Sequence, residues 1–201
     1  MAAAASRAPG NLCHSGTVHE LLLDQPVVAS VKDEAGLRAV TELEPPVVFL
    51  LFGSILTLPA LVDRLRAAGK TVLVNVDLVE GLEGRDIAVD FVAERTKADG
   101  VLSSKAGIVK AAKARGLLAV HRFFLVDSFS YHNLGRQLAI SRPDYIEILP
   151  GCVPRVIKWL RADTDVPIIA GGLVCDKDDV LAALGAGATA IASSNVDVWS
   201  M

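Results

Sequence analysis

Hydrophobic and polar positions along this chain recur as one unit from Pro26 onward: a short aliphatic run, a turn of glycine or small polar residues, and an amphipathic stretch ending near a glycine. The aliphatic runs predict strands at Val27–Val31, Val47–Leu51, Thr71–Asp77 and Gly100–Ser103, then Leu117–Arg122, Tyr145–Leu149, Pro167–Ala170 and Thr189–Ala192. They are short and rich in β-branched or aliphatic residues, as expected of strands covered on both faces. Between them, helical spacing predicts Leu58–Ala68, Ile87–Thr96, Ile108–Arg115, Pro154–Ala162 and Lys177–Leu184. Thr57 before Pro59 and Asp176 before Lys177 read as helix starts, and Gly69, Gly116 and Gly185 as left-handed helix ends.

Eight strand–helix units, spaced by roughly twenty-odd residues, predict an α/β fold: a small parallel (β/α)8 TIM-type barrel in one domain. An open doubly wound sheet uses the same unit but fewer strands. Alternation also favours closure. In Thr71–Asp77 it places Val72, Val74 and Val76 on the helix side and Leu73, Asn75 and Asp77 in the lumen; in Tyr145–Leu149 it sends Ile146 and Ile148 outward and Glu147 inward. Residues 24–201 are assigned to the barrel and 1–23, which open on an alanine-rich run and Pro9-Gly10, to a flexible leader. The leader lacks the apolar core of a signal peptide. Residues 45–62 carry no charge, yet Gly53-Ser54 and Thr57 with Pro59 divide them into strand, loop and helix rather than a membrane span.

Composition narrows the function. The 201 residues are 52% hydrophobic, with mean hydropathy +0.44, which suits one well-buried domain. A formal charge of −3 supplies no overall positive field for nucleic acid or anionic membrane, so an RNA contact has to be a local patch. Cys13, Cys152 and Cys175 form no paired spacing, which argues against a disulfide framework or a zinc site and for a reducing cytoplasm.

The strand ends collect the candidate chemistry. Gly171-Gly172 and Ser193-Ser194-Asn195, the turns after the last two strands, offer close backbone approach, hydroxyls and a helix start, the features that suit a phosphate. Lys32, Lys105 and Arg122 are candidate cations, and Asn75, Asp77, Ser103 and Glu147 are candidate partners for ligand hydroxyls. Asp77 and Glu147 also fit an acid/base pair or a metal site, although no spaced His/Cys cluster accompanies them. His121 reads as a hydrogen-bonded strand-end residue rather than an acid or base. Basic residues recur on two helices: Lys110 and Lys113, with Arg115, on one, and Arg155, Lys158 and Arg161 three apart on another. A solvated helix face explains them as well as an RNA contact does.

Several longer motifs occur in order: Asn75-Val76-Asp77-Leu78 with Gly81, residues 100–105, Arg122 with Phe124-Leu125-Val126-Asp127, residues 143–151, residues 167–172, and Ser193-Ser194-Asn195 with Trp199. With them the chain resembles the glycerol-3-phosphate-responsive antiterminators, regulators of glycerol uptake operons, from about Pro26 to Trp199. Lys105 stands where the family pattern leads one to expect arginine, and His121 and Phe123 where it leads one to expect more polar neighbours of Arg122. The resemblance implies a cytoplasmic, non-catalytic regulator that needs no cofactor or metal. It implies glycerol 3-phosphate as effector and leader mRNA as partner, no membrane association, and leaves a homo-oligomer open. A TIM-barrel enzyme acting on a small phosphorylated polyol, of the phosphodiesterase, aldolase or isomerase class, is the alternative, and a sensor working through a protein partner is a third reading.

Overall fold

Eight aliphatic runs become eight parallel strands that close into a barrel, each beside its neighbour in sequence, with β1 meeting β8. The computed structural model describes residues 11–82 and 84–201. Its first half runs α1 (Asn11–Asp24), β1 (Val27–Val31), α2 (Glu34–Glu42), β2 (Val47–Leu50), α3 (Leu58–Ala67), β3 (Thr71–Asn75), α4 (Asp86–Arg95) and β4 (Gly100–Ser103). The second half runs α5 (Ala106–Ala114), β5 (Leu118–Phe124), α6 (Ser128–Ser141), β6 (Tyr145–Leu149), α7 (Pro154–Asp163), β7 (Ile168–Gly171), α8 (Lys177–Gly185), β8 (Ala190–Ser193) and α9 (Val196–Trp199).

The apolar residues sort into two layers. Val72, Val74, Val76, Ile146 and Ile148 join the cluster between sheet and helices, while Val28, Phe49, Leu73, Leu102, Val120 and Ile169 fill the lumen. Asn75 and Glu147 are buried on the lumen side, as alternation predicts. Each fully buried aliphatic side chain contributes about 1.5–3 kcal/mol, so the two layers drive closure.

Local signals mostly act as expected. The Asp176 carboxylate accepts the Asp179 N–H at 2.9 Å and starts α8, and Gly69 and Gly116 are left-handed at φ 76° and 78°. Two signals act elsewhere. Gly185 remains inside α8, and Gly187 takes the left-handed turn at φ 106°. Thr57 precedes α3 without capping it, because its hydroxyl accepts the Ser54 N–H at 2.9 Å.

α1, α2 and α6 form where the hydrophobic pattern named no helix. Residues 1–10 of the expected leader lie outside the described residues, and its remainder, residues 11–23, falls within α1. Val18 and Leu22 of α1 are buried with the lumen cluster, and His19 Nδ1 lies 3.3 Å from the Tyr145 hydroxyl. The helix packs on β2 and β5 and covers the lumen residues at that end of the barrel. Burial, with the Asp144 charge adding to it, pushes the Tyr145 phenol up to about 12.

Candidate functional site

Parallel strands of a closed barrel deliver their C-terminal ends to one mouth, so the residues just beyond β1–β8 share a neighbourhood. Its centre is an ion pair. β5 and β6 place Arg122 beside Glu147 in register, and Arg122 Nε donates to Glu147 Oε2 at 2.5 Å. The side chains are 10% and 2% exposed. Burial pushes the Glu147 carboxyl up, and the Arg122 guanidinium opposes that rise by favouring the charged form. Among the described residues no buried side-chain nitrogen or oxygen lacks a partner, while only Nε of Arg122 is bonded. The Nη groups therefore reach the solvent of the mouth. A guanidinium held by one edge presents its other donors in a fixed plane, an arrangement suited to an anion.

Gly171 faces this pair, and its lack of a side chain has a specific cause: a Cβ there would stand 2.5 Å from Glu147 Oε1. The carboxylate occupies the space that a side chain would need. Gly151 is packed more tightly, since a Cβ on it would lie 2.7 Å from both the Ala170 carbonyl carbon and the Gly171 nitrogen. Its N–H donates to the carbonyls of Gly171 and Gly172, at 2.6 and 2.9 Å. Gly172 and Leu173 are left-handed in succession, φ 72° and 56°. Glycine adopts that region freely, whereas leucine there is strained by its Cβ, and the exposed Leu173 is held by the turn around it.

Other predicted site residues have structural duties already. β3 ends at Asn75, so Asp77 lies in the following loop, not in the strand as its alternation implied. Its Oδ1 accepts Ser103 Oγ at 2.9 Å, and its Oδ2 accepts the N–H and hydroxyl of Ser104 at 2.6 and 2.8 Å. Ser103 Oγ also accepts the Lys105 N–H, and Asn75 Oδ1 accepts the Asp77 N–H. This clasp fixes the β4–α5 turn and leaves Asp77 little accepting capacity. Ser193 Oγ donates to the Val174 carbonyl at 2.8 Å, and Asn195 Nδ2 to the Cys175 carbonyl at 2.9 Å, lacing the β8 turn to the β7 turn. α9 is one turn long, and Asn195 Oδ1 already accepts its Asp197 N–H. So short a helix, capped by a side chain, has little field left for a phosphate. Ser194, Lys32 and Lys105 are exposed on the rim, with the Lys105 ammonium lying over Gly84.

His121 points away from the lumen. Its Nδ1 lies 2.9 Å from Ser141 Oγ, its Nε2 3.3 Å from the Ser104 carbonyl, and its ring 4.1 Å from that of Phe123. Burial pushes it down to about 4, against the opposing Ser104 bond and Asp77 charge. The unfolded chain takes up this proton near pH 6.5 and the folded one only near 4, so stability falls as pH drops through that window. The expected loss is on the order of 2–3 kcal/mol. Urea melts at stepped pH check it: His121→Gln should flatten the slope, and an unchanged slope would refute the assignment.

The basic candidates divide. Lys113 pairs with Asp144 at 2.5 Å, and its neighbour Arg115 with Asp90 at 2.5 Å, whereas Lys110 is exposed on α5. On α7, Arg155 and Lys158 are exposed, and the stem of Arg161 packs against Gly187. Among the described residues no group of His, Cys, Asp and Glu is placed to hold a metal ion, and no helix is long and apolar enough to cross a membrane.

Fold and site define a single-domain (β/α)8 barrel whose mouth is organised by a buried arginine–glutamate pair. The chain belongs to the glycerol-3-phosphate responsive antiterminator family, whose pattern it matches over residues 27–199. It is 43% identical to the uncharacterised protein YgcP of Escherichia coli K12, over 90% of this chain and 95% of that one. A glycerol uptake operon antiterminator regulatory protein from Listeria monocytogenes superposes with a TM-score of 0.85 at 31% identity, covering 88% of this chain and 95% of that one. A glycerol uptake operon antiterminator-related protein from Thermotoga maritima does so at 0.78 and 34%, covering 87% and 98%. The family is described by its response to glycerol 3-phosphate, and membership points to a regulator rather than an enzyme. Deoxyribose phosphate aldolase from Aeropyrum pernix, at 16% identity and a TM-score of 0.64, shares the fold alone.

Proposed function

We propose that this protein is a transcription antiterminator that binds glycerol 3-phosphate in the barrel mouth and, so loaded, binds the leader mRNA of a glycerol uptake or utilisation operon. The observation that carries the ligand half is Arg122, a buried cation with Nε fixed by Glu147 and its remaining donors open to the mouth. The phosphate would meet those Nη groups, helped by Lys32, Lys105 and the backbone of Gly172 and Ser194. The glycerol hydroxyls would meet Glu147 and the Asn75 amide. Asp77, Ser103, Gly171, Ser193 and Asn195 shape the pocket through their bonds and their lack of bulk. Nothing in this scheme uses catalysis or a cofactor, and the cytoplasm is where such a ligand and transcript meet.

Two measurements test it. Glycerol 3-phosphate at a hundred times its dissociation constant should stabilise the fold by about 2.7 kcal/mol, a rise in Tm of roughly 5–10 °C for a domain of this size. Glycerol or inorganic phosphate alone should give less. A leader transcript should bind about 5–150-fold more tightly with the effector present, since coupling between two sites is reciprocal. No thermal response, or equal RNA affinity with and without effector, would overturn the reading.

A further inference from the structure

The helices that follow Arg122 and Glu147 carry an unusual surface. Residues 128–142 hold Arg136 and Arg142 and no acid, in a chain whose net charge is −3. α7 has one acid, Asp163, whose Oδ2 already accepts the Tyr131 hydroxyl across the two helices at 2.5 Å. Asp127, at the start of α6, is committed to the Ser130 N–H. The carboxylates bordering this face therefore have partners.

Aromatic rings stand among the cations. Phe129 is 79% exposed and Trp159 46% exposed. Tyr131 meets Trp159 edge-on at 5.9 Å between centroids, and the Arg155 guanidinium lies over the Trp159 ring at 4.8 Å. Phe129, His132 and Arg136 follow one another at helical spacing, and Lys158 adjoins Trp159. A cleft of about 450 Å³ between α6 and α7 is lined by Val126, Tyr131, His132, Val156 and Trp159, with Asp127, its Oδ1 accepting the Ser130 N–H, at the α6 end. A ring stacked under a guanidinium, with a further exposed ring and further cations on the same two helices and the bordering carboxylates held in hydrogen bonds, fits a strand of unpaired bases: bases stack on the rings and phosphates meet the arginine and lysine. An A-form duplex would bury its bases away from such rings.

We propose that the α6–α7 face, with Phe129, Trp159, Arg136, Arg155 and Lys158, is a stacking platform for single-stranded RNA. The proposal rests on the antiterminator reading and adds the contacting face. It also gives a route for coupling, because β5 and β6 carry the mouth's ion pair and lead directly into α6 and α7, with the Leu125 N–H bonded to the Leu149 carbonyl at 2.8 Å where they end.

The test titrates the full chain with a fluorescent 20-nucleotide oligo(U) and with a glycerol-operon leader transcript, each with and without glycerol 3-phosphate. Trp159→Ala and Phe129→Ala should each weaken both RNAs about 5–100-fold. The double variant R155Q/K158Q, which changes only exposed side chains, should reduce the log–log salt slope by about 1.4. In all three the thermal shift with glycerol 3-phosphate should match wild type, which separates a lost platform from a lost fold. Wild-type affinity in R155Q/K158Q and in either aromatic variant would overturn the face while leaving effector-dependent leader binding, and so the antiterminator reading, intact. Failure of the wild-type chain to bind either RNA would overturn both. A change from dimer to monomer in the variants with RNA affinity unchanged would assign the face to a second copy of this chain and overturn the proposal.

Discussion

Arg122→Ala should lower the stability of the folded chain by about 3–5 kcal/mol, because it leaves the Glu147 carboxylate buried without its partner. The loss should shrink as pH falls, because burial already pushes the Glu147 carboxyl up and without Arg122 nothing opposes its protonation; urea melts of variant and wild type at stepped pH would show the difference. Removing both charges with an apolar pair, R122M/E147L, should recover most of the stability, since a buried ion pair often contributes little beyond a well-packed apolar substitute. That double variant should give no thermal response to glycerol 3-phosphate. Stability and ligand response would then come apart, as expected if the pair is kept for binding. An Arg122→Ala protein within 1 kcal/mol of wild type at pH 7 would refute the account of the pair.

Gly151→Ala should be nearly as damaging. The added Cβ meets main-chain atoms of Ala170 and Gly171 at 2.7 Å, and backbone cannot step aside as a flexible side chain can. Overpacking of about 1–3 kcal/mol, with weakening of the two N–H bonds to Gly171 and Gly172, implies a total of roughly 3–4 kcal/mol. For a domain of this size Tm should fall by roughly 6–12 °C in calorimetry. Gly135→Ala is the control: it lies within α6 with nothing within 4 Å of its added Cβ, so it should be neutral or stabilise by up to about 1 kcal/mol. Equal effects at the two positions would refute the packing argument.

The barrel is legible in the sequence because its strands must bury both faces, and two-sided burial writes itself as unbroken aliphatic runs. Alternation then places Asn75 and Glu147 in the lumen without further information. α6 escapes the same reading because it buries little apolar surface: Leu134 is its one fully buried hydrophobic residue, and its exposed ring-bearing positions blur the amphipathic pattern. α1 escapes because it follows an alanine-rich stretch, and its described side chains offer a thin stripe, Val18 and Leu22 with the half-buried Leu21, to the end of the barrel.

The site is legible in its residue types and not in its bonds. That Arg122 answers Glu147 depends on the β5–β6 register, and that Gly171 gives way to a carboxylate, not to a ligand, depends on the neighbouring strand. Asp77 illustrates the limit best. Sequence shows a carboxylate at a strand end, but a carboxylate satisfied by the next turn looks identical until Ser103 and Ser104 are placed around it.

The lacing of the last three turns bears on how a guest would be received. Gly151 joins the β6 turn to the β7 turn, and Ser193 and Asn195 join the β7 turn to the β8 turn, all by bonds formed within the chain itself. A rim assembled in advance asks no loop-ordering entropy of the molecule that enters, so its association need not wait for a lid. What such a guest can still alter is the balance of charge around one guanidinium, which makes the mouth better suited to register the arrival of an anion than to close upon it.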